Sequence, residues 1–312
     1  MLRILMFVLL ITLSTSASAA DAEQRAVLVT GASSGIGLKI TEKLAASSFY
    51  VYATARKPDD LARLDAMENV SSVRLDVTVQ EEIDAAVKFI EAQGRGLYGV
   101  INNAGVSAFS PLTSGPESDM DFVFDVNVYG PYRVNKAFLP MLEASGGRTA
   151  TIGSISGFTG RSGIYSMSKF AVEAYTDSLA RELEDSKVHV AVVEPGGFKS
   201  RIAANRAVRA LSAADRGEIE LTDRQRARYE RAIKEESKRK EPDEVADAVY
   251  ALLTADKPKR RYMVTPNEDQ ARGTLEAAMR RVVQLNHDQL YEYDRAGLIE
   301  ILDGLLAEIA AE

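Results

Sequence analysis

The sequence predicts a three-layer α/β fold: a doubly wound parallel sheet of about seven strands, helices on both faces, and a helical C-terminal extension. Three observations predict it. Short β-branched runs alternate with longer helical patterns along most of the chain. Several of those runs are almost wholly apolar, as parallel strands covered on both faces require. A glycine-rich turn joins the first such run to the first helical stretch.

In chain order, residues 1–19 stand apart. Arg3 gives a positive start, Ile4 to Leu13 an apolar stretch, and Ala17-Ser18-Ala19 the small-x-small pattern that a signal peptidase cuts before Ala20. The stretch is too short for a comfortable membrane span. An exported or periplasmic mature chain, with no stable membrane span after cleavage, is therefore expected. A membrane-anchored chain, or a cytoplasmic one with a mistaken start codon, is the alternative. Ala26 to Thr30, Tyr50 to Thr54, Val73 to Asp76, Gly99 to Asn102, Thr149 to Gly153 and Val188 to Glu194 then read as buried strands, with Arg261 to Val264 as a last one. Helical patterns fall at Ile36 to Ser47, Glu81 to Gln93, Ser168 to Leu183 and Glu244 to Leu253. That alternation implies right-handed crossovers. Residues 20–270 thus form the main domain and 271–312 a helical extension. Within the domain, 199–240 is rich in Arg, Lys, Glu and Ala and holds no strand. It reads as a pair of solvated amphipathic helices, or as a mobile flap over a substrate.

Composition narrows the chemistry. At 46% hydrophobic and 27% charged, the 312-residue chain lies clear of the disordered range. Its net charge of −7 argues against a nucleic-acid-binding surface. The absence of cysteine excludes disulfides, thiolate catalysis and cysteine-ligated zinc. His189 and His287 are too few imidazoles for a histidine-rich metal site and argue against a Ser-His-Asp triad. No metal is expected.

Thr30-Gly31-Ala32-Ser33-Ser34-Gly35-Ile36-Gly37 follows the first strand and opens the first helix. Unpaired amides and the helix dipole favour an anion there. Glycines let the backbone turn sharply and approach a pyrophosphate, and Gly37 lets the helix pack on the sheet. A lone glycine-rich loop is often a plain strand-helix turn; its position after the first buried strand points to a dinucleotide. At the end of the second strand an acid would bind ribose hydroxyls and repel a 2′-phosphate. This chain reads Ala53-Thr54-Ala55-Arg56-Lys57 instead. Arg56 can grip a phosphate through two parallel hydrogen bonds and Lys57 adds charge, although both also suit surface ion pairs. NADP(H) is expected in preference to NAD(H).

Tyr165 and Lys169 stand at i and i+4, on one face of a predicted helix. A free tyrosine, with a pKa of about 10, is a poor base near neutrality. A neighbouring ammonium, together with the positive nicotinamide ring of an oxidised cofactor, favours the phenolate, so Tyr165 can take or give a proton at a substrate oxygen. Ser154 can hydrogen-bond the same oxygen. A Tyr-x-x-x-Lys pair alone usually marks only a helix surface.

Together with Asn102-Asn103-Ala104-Gly105, Asn127, Pro195-Gly196 and the string Tyr165-Ser166-Met167-Ser168-Lys169, the glycine loop resembles the short-chain dehydrogenase/reductase family, in order across residues 25 to 265. The resemblance implies a Rossmann fold and hydride transfer between a nicotinamide cofactor and a ketone or secondary alcohol. It implies that Tyr165 is the general acid/base, that Lys169 lowers its pKa and binds the nicotinamide ribose, that Ser154 positions the substrate oxygen, and that Asn127 holds a water in a proton relay. Gly31, Ser33, Ser34, Gly35, Ile36 and Gly37, with Arg56 and Lys57, would hold the phosphates. Asp76 and Val77 would lie against the adenine, Asn103, Ala104 and Gly105 along the cleft, and Pro195, Gly196, Phe198 and Ser200 beside the nicotinamide. Ser200 stands where the family usually has threonine. The Ser154 to Tyr165 interval is short for the family, which leaves Ser156 as a rival to Ser154. The run Tyr165 to Glu182 is similar to retinol and hydroxysteroid dehydrogenase relatives.

The substrate lining is expected from Val106 to Pro111, Gly157 to Ile164 and Phe198 to Arg239. Phe109, Phe158, Ile164 and Phe198 hint at an apolar small molecule, although each equally suits packing. Relatives pair through helices near Asn127 and Tyr165, so a homodimer or homotetramer is implied. A binding-only sensor on the same fold is the rival reading; such proteins typically lose the tyrosine or lysine that this chain keeps.

Overall fold

A computed structural model describes residues 24–108 and 110–311. The expected leader and Phe109 lie outside the described residues. Seven strands, β1 (Arg25–Val29), β2 (Phe49–Ala55), β3 (Val70–Arg74), β4 (Gly99–Asn102), β5 (Arg148–Ile152), β6 (His189–Pro195) and β7 (Arg261–Val264), form one sheet in the order β3-β2-β1-β4-β5-β6-β7. Every pairing is parallel. The strands sit where the apolar runs place them, and β3 departs most. It starts at Val70 because pairing with β2 sets Val51 opposite Val70 and recruits the polar Ser71 and Ser72, which no hydrophobic period marks.

Successive side chains of β1 enter opposite cores. Val27 and Val29 join a cluster with Ile40 and Leu44 of α1 (Gly35–Ala45) and Val249 of α10 (Asp243–Thr254). Ala26 and Leu28 join one with Ile83 and Ile90 of α3 (Gln80–Gln93) and Val134 and Phe138 of α5 (Gly130–Ser145). Each fully buried aliphatic side chain stabilises the fold by roughly 1.5–3 kcal/mol. The remaining helices are α2 (Pro58–Asp65), α4 (Glu117–Phe124), α6 (Ser156–Thr159), α7 (Ile164–Glu182), α8 (Ile202–Asp215), α9 (Asp223–Glu236), α11 (Glu268–Asn286) and α12 (Arg295–Ala311).

Two features bear on the site. Sequence order along the sheet reverses between β1 and β4, which opens a crevice at their carboxyl ends. Between α4 and α5 the helix widens into a π-turn over Asp125–Tyr129, with the Gly130 amide bonded to the Asp125 carbonyl. Pro131 explains the widening: it has no N–H to give the carbonyl four residues back, that of Asn127, and its ring would crowd that oxygen.

The 199–240 stretch forms two helices, α8 and α9, packed on one another. The C-terminal extension is helical as well. In α11 only Thr274 is buried, and α12 buries no residue although Ile301, Leu305 and Ile309 are apolar. Among the described residues no helix is long and apolar enough to cross a membrane.

Candidate active site

A cleft of about 1160 Å³ occupies the crevice at the β1/β4 reversal. It gathers residues from most of the chain: Gly31, Ser33, Ser34 and Ile36 after β1, Arg56 after β2, Asp76 and Val77 after β3, Asn103, Ala104 and Gly105 after β4, Ser154, Tyr165 and Lys169 around β5 and α7, and Pro195, Gly196 and Ser200 after β6. Of the other residues singled out, Gly35, Gly37, Lys57, Asn127 and Phe198 do not line it.

The glycine turn is shaped by close approach. A Cβ on Gly37 would lie 2.3 Å from Asn103 Nδ2 and 2.4 Å from the Gly31 carbonyl, so α1 can reach the β4 loop only without a side chain there. Gly35 has φ +57° and would meet the Ser200 backbone at 2.8 Å. Asn103 knits the turn together: its Nδ2 donates to the Thr30 and Gly31 carbonyls at 2.9 and 3.1 Å. At the start of α1, Ser34 makes no side-chain cap and the first turn holds no acid. Ser33, Ser34 and Ile36 line the cleft at this helix start, a setting that fits a cofactor pyrophosphate.

At the far end, Arg56 Nη1 lies 3.1 Å from Asp76 Oδ2. That contact, with the Thr78 amide and hydroxyl, holds the Asp76 carboxyl below its usual range although burial opposes it. Lys57 lies exposed at the N-cap of α2. Sequence reasoning missed Arg63, whose guanidinium donates to the Ser33 carbonyl across thirty residues of chain. No local pattern signals that contact.

Tyr165, Lys169 and Glu173 form a stripe at four-residue intervals on α7. The half-buried Tyr165 shares a hydrogen bond with Ser154. Ser156 is not part of the cleft; its amide donates to Ser154 Oγ at 3.1 Å and so orients the hydroxyl. The Lys169 ammonium is buried and donates to the Ile152 carbonyl at 2.7 Å, 5.6 Å from the Tyr165 ring centre. Burial pushes the phenol up to about 12, against the Ser154 hydrogen bond and the positive charge of Arg206. Burial also brings Lys169 down to about 8, against the charge of Glu173. The expected lowering involves an oxidised nicotinamide beside Lys169; for the protein alone, burial is the largest influence on the phenol. Burial thus favours the protonated phenol in this cleft.

Asn127 is buried in the π-turn, and its side chain is fully engaged. Oδ1 accepts from the Val106 amide at 2.8 Å, while Nδ2 donates to the Val106 carbonyl at 3.0 Å and to Ser168 Oγ at 2.9 Å. It therefore ties the β4 loop to α7 next to Lys169. The Phe198 side chain, 1% exposed, sits in the core beneath the sheet ends and not beside the cleft. Ile164 is likewise buried, and Phe158 faces a separate groove against α11. Of the apolar residues that hinted at a greasy substrate, Phe158, Ile164 and Phe198 therefore do not line this cleft. The residues that do approach from above belong to α8: Ile202 and Asn205 line the cleft.

Known proteins agree with this geometry. A family model described as short chain dehydrogenase matches residues 25–210. The chain is 33% identical to the uncharacterized oxidoreductase YbbO of Escherichia coli (strain K12), over 78% of this chain and 86% of that one. It is 34% identical to an NADPH-dependent 3-dehydrocapnine reductase of Ornithobacterium rhinotracheale, over 78% and 89%. Its fold matches a short-chain dehydrogenase/reductase of Burkholderia phymatum solved with NAD, with a TM-score of 0.70, 25% identity and coverage of 86% and 96%. A Pseudomonas aeruginosa RhlG/NADP complex matches with a TM-score of 0.62, 26% identity and coverage of 77% and 94%. By sequence, sheet order and cleft, the chain belongs to the short-chain dehydrogenase/reductase family of oxidoreductases.

Proposed function

We propose that this protein is an NADP(H)-dependent reductase/dehydrogenase acting at a carbonyl or secondary alcohol carbon, with Tyr165 as the proton donor and acceptor. The observation that carries the reading is the Tyr165 phenol, hydrogen-bonded to Ser154 in the same cleft as the uncapped start of α1. The bound nicotinamide supplies or takes the hydride. In the reducing direction the neutral phenol gives its proton to the carbonyl oxygen, and in the oxidising direction it takes one back. Ser154 fixes that oxygen by a second hydrogen bond. Lys169, anchored on Ile152, presents a cation to the ribose side of the cleft. Asn127 holds the wall between the β4 loop and α7. Arg56 and Arg63, with Lys57 at the rim, favour a 2′-phosphate over bare ribose hydroxyls, and the NADPH-dependent relative supports that preference. The helices α8 and α9 act as a cover over the substrate end.

Replacement of Tyr165 by Phe tests this. NADPH binding, followed by its fluorescence, should persist, while carbonyl reduction falls by ~10²–10⁴-fold. An unchanged rate would overturn the assignment. A wild-type protein that binds NADPH but consumes it with no ketone or aldehyde would be the binding-only sensor instead.

A further inference from the structure

Glu173 is a buried acid that the chemistry above does not use. It stands one turn beyond Lys169 on α7 and is 8% exposed. Its Oε2 accepts from Arg261 Nη1 of β7, which also donates to Glu194 of β6 at 2.9 Å. Its Oε1 is enclosed and receives no hydrogen bond. Filling the space does not call for an acid, because apolar side chains of similar volume often replace buried ion pairs at little cost in stability.

The turn that carries Ser154 is built against this carboxyl group. A Cβ on Gly153 would stand 2.9 Å from Glu173 Oε1. One on Gly157 would stand 3.2 Å from the same oxygen and 3.1 Å from Glu173 Cγ. The two glycines bracket Ser154, so the turn rests on Glu173 at both of its flanks. Its other ties are to the backbone. The Gly153 and Ile155 amides donate to the Val193 and Pro195 carbonyls of β6 at 2.7 and 3.2 Å, and Lys169 holds the Ile152 carbonyl just before the turn. The Ser154 hydroxyl takes its direction from within the turn, through the Ser156 amide, and therefore moves when the turn moves.

We propose that Glu173 is a positioning residue for the reaction. Tethered by Arg261, it is a fixed stop against the Ser154 turn and keeps the Ser154 hydroxyl at the place where it meets the substrate oxygen. The tether gives the acid its purpose: an apolar side chain fills the same volume but is free to change rotamer, and the turn follows it. Small displacements matter here, since misplacing a group by about 1 Å can cost a large factor in rate. This rests on the reading of Ser154 and Tyr165 as the pair that meets the substrate oxygen.

A double-mutant cycle tests it, with kcat for carbonyl reduction, NADPH affinity and thermal unfolding followed together. Glu173→Leu should lower kcat by about tenfold while NADPH binding and the thermal midpoint change little. Glu173→Met offers a more adaptable apolar replacement and should behave alike. Glu173→Gln can still accept from Arg261 and should keep most of the activity. In a Ser154→Ala background the leucine replacement should cost less than about twofold, because no hydroxyl is left to misplace. Full activity in the leucine and methionine variants would show that Glu173 only packs, which overturns the proposal and leaves the reductase reading intact. The same loss in both backgrounds would route the effect through Lys169 or the fold, and a glutamine variant as slow as the leucine one would assign it to charge; either overturns the proposal. A wild-type protein that binds NADPH and reduces no ketone or aldehyde overturns the reductase reading and this proposal together.

Discussion

Arg56 is positioned before any phosphate arrives, paired with Asp76 yet with its side chain 64% exposed. A 2′-phosphate would compete with that carboxylate in a solvated setting, so the gain is modest. Arg56→Ala is expected to weaken NADPH by about tenfold relative to NADH, ~1.4 kcal/mol; parallel fluorescence titrations of the two nucleotides measure it. Equal weakening of both would show that Arg56 does not read the phosphate. At this scale the sequence was informative wherever spacing alone fixes geometry: Tyr165 and Lys169 share a face because they are four residues apart on one helix. It was silent on partners brought by tertiary folding. Ile152 for Lys169, Ser33 for Arg63 and the nearness of Arg206 to Tyr165 join segments with no local relation. Burial is the largest influence on both Tyr165 and Lys169, and no spacing pattern reports burial.

One buried carboxylate ties the end of α9 to the start of α8. Glu236, at the end of α9 and 4% exposed, accepts from the Ser200 and Arg201 amides at 2.9 and 3.1 Å, immediately before α8 begins. Arg201 has φ +61°, a left-handed conformation that costs a non-glycine residue some strain, and these bonds help to hold it. Glu236→Ala leaves the amides unpaired and should loosen α8 and α9 by about 1–3 kcal/mol. The expected result is faster proteolysis within 202–236 and a several-fold rise in KM, with the main thermal transition little changed. Protection equal to wild type would show that the cover does not hang on this contact. The charged stretch was legible as two helices, because its polar periodicity is regular; which face meets the cleft was not, since arginines occupy both sides. The α4–α5 region went unmarked for another reason. Gly130-Pro131 and Pro140 interrupt the pattern, and Pro131 is accommodated by the first turn of α5 and the π-turn before it.

The topology of the sheet was readable from alternation and from the continuous apolar strands, whereas the ties that lock its far edge were not. Arg261 of β7 lies 2.9 Å from Glu194 of β6 and also pairs with Glu173 and Asp177 of α7. Glu194 is buried, and burial together with the adjacent Glu173 raises its carboxyl above the ordinary 4.5, toward neutrality. The folded state therefore binds more protons than the unfolded chain as pH rises above that ordinary value. This contribution to stability is fully present below 4.5 and is lost as pH climbs through the raised pKa. Glu194→Gln should flatten that decline, as urea melts from about pH 4 to about pH 8 would show; an unaltered slope would assign it to other groups. The extension was legible as helical but not as sparsely packed, because periodicity reports a face and not whether anything covers it. The widened turn before Pro131 has a reach beyond Asn127. An added residue rotates everything upstream by about 100° on a helix of 3.6 residues per turn. α4, which carries Phe122 beneath Arg209, is thereby aimed independently of α5, whose own stripe is committed to the sheet. One rod thus has two azimuths, and α4 can drift in sequence while the half that holds the core stays fixed.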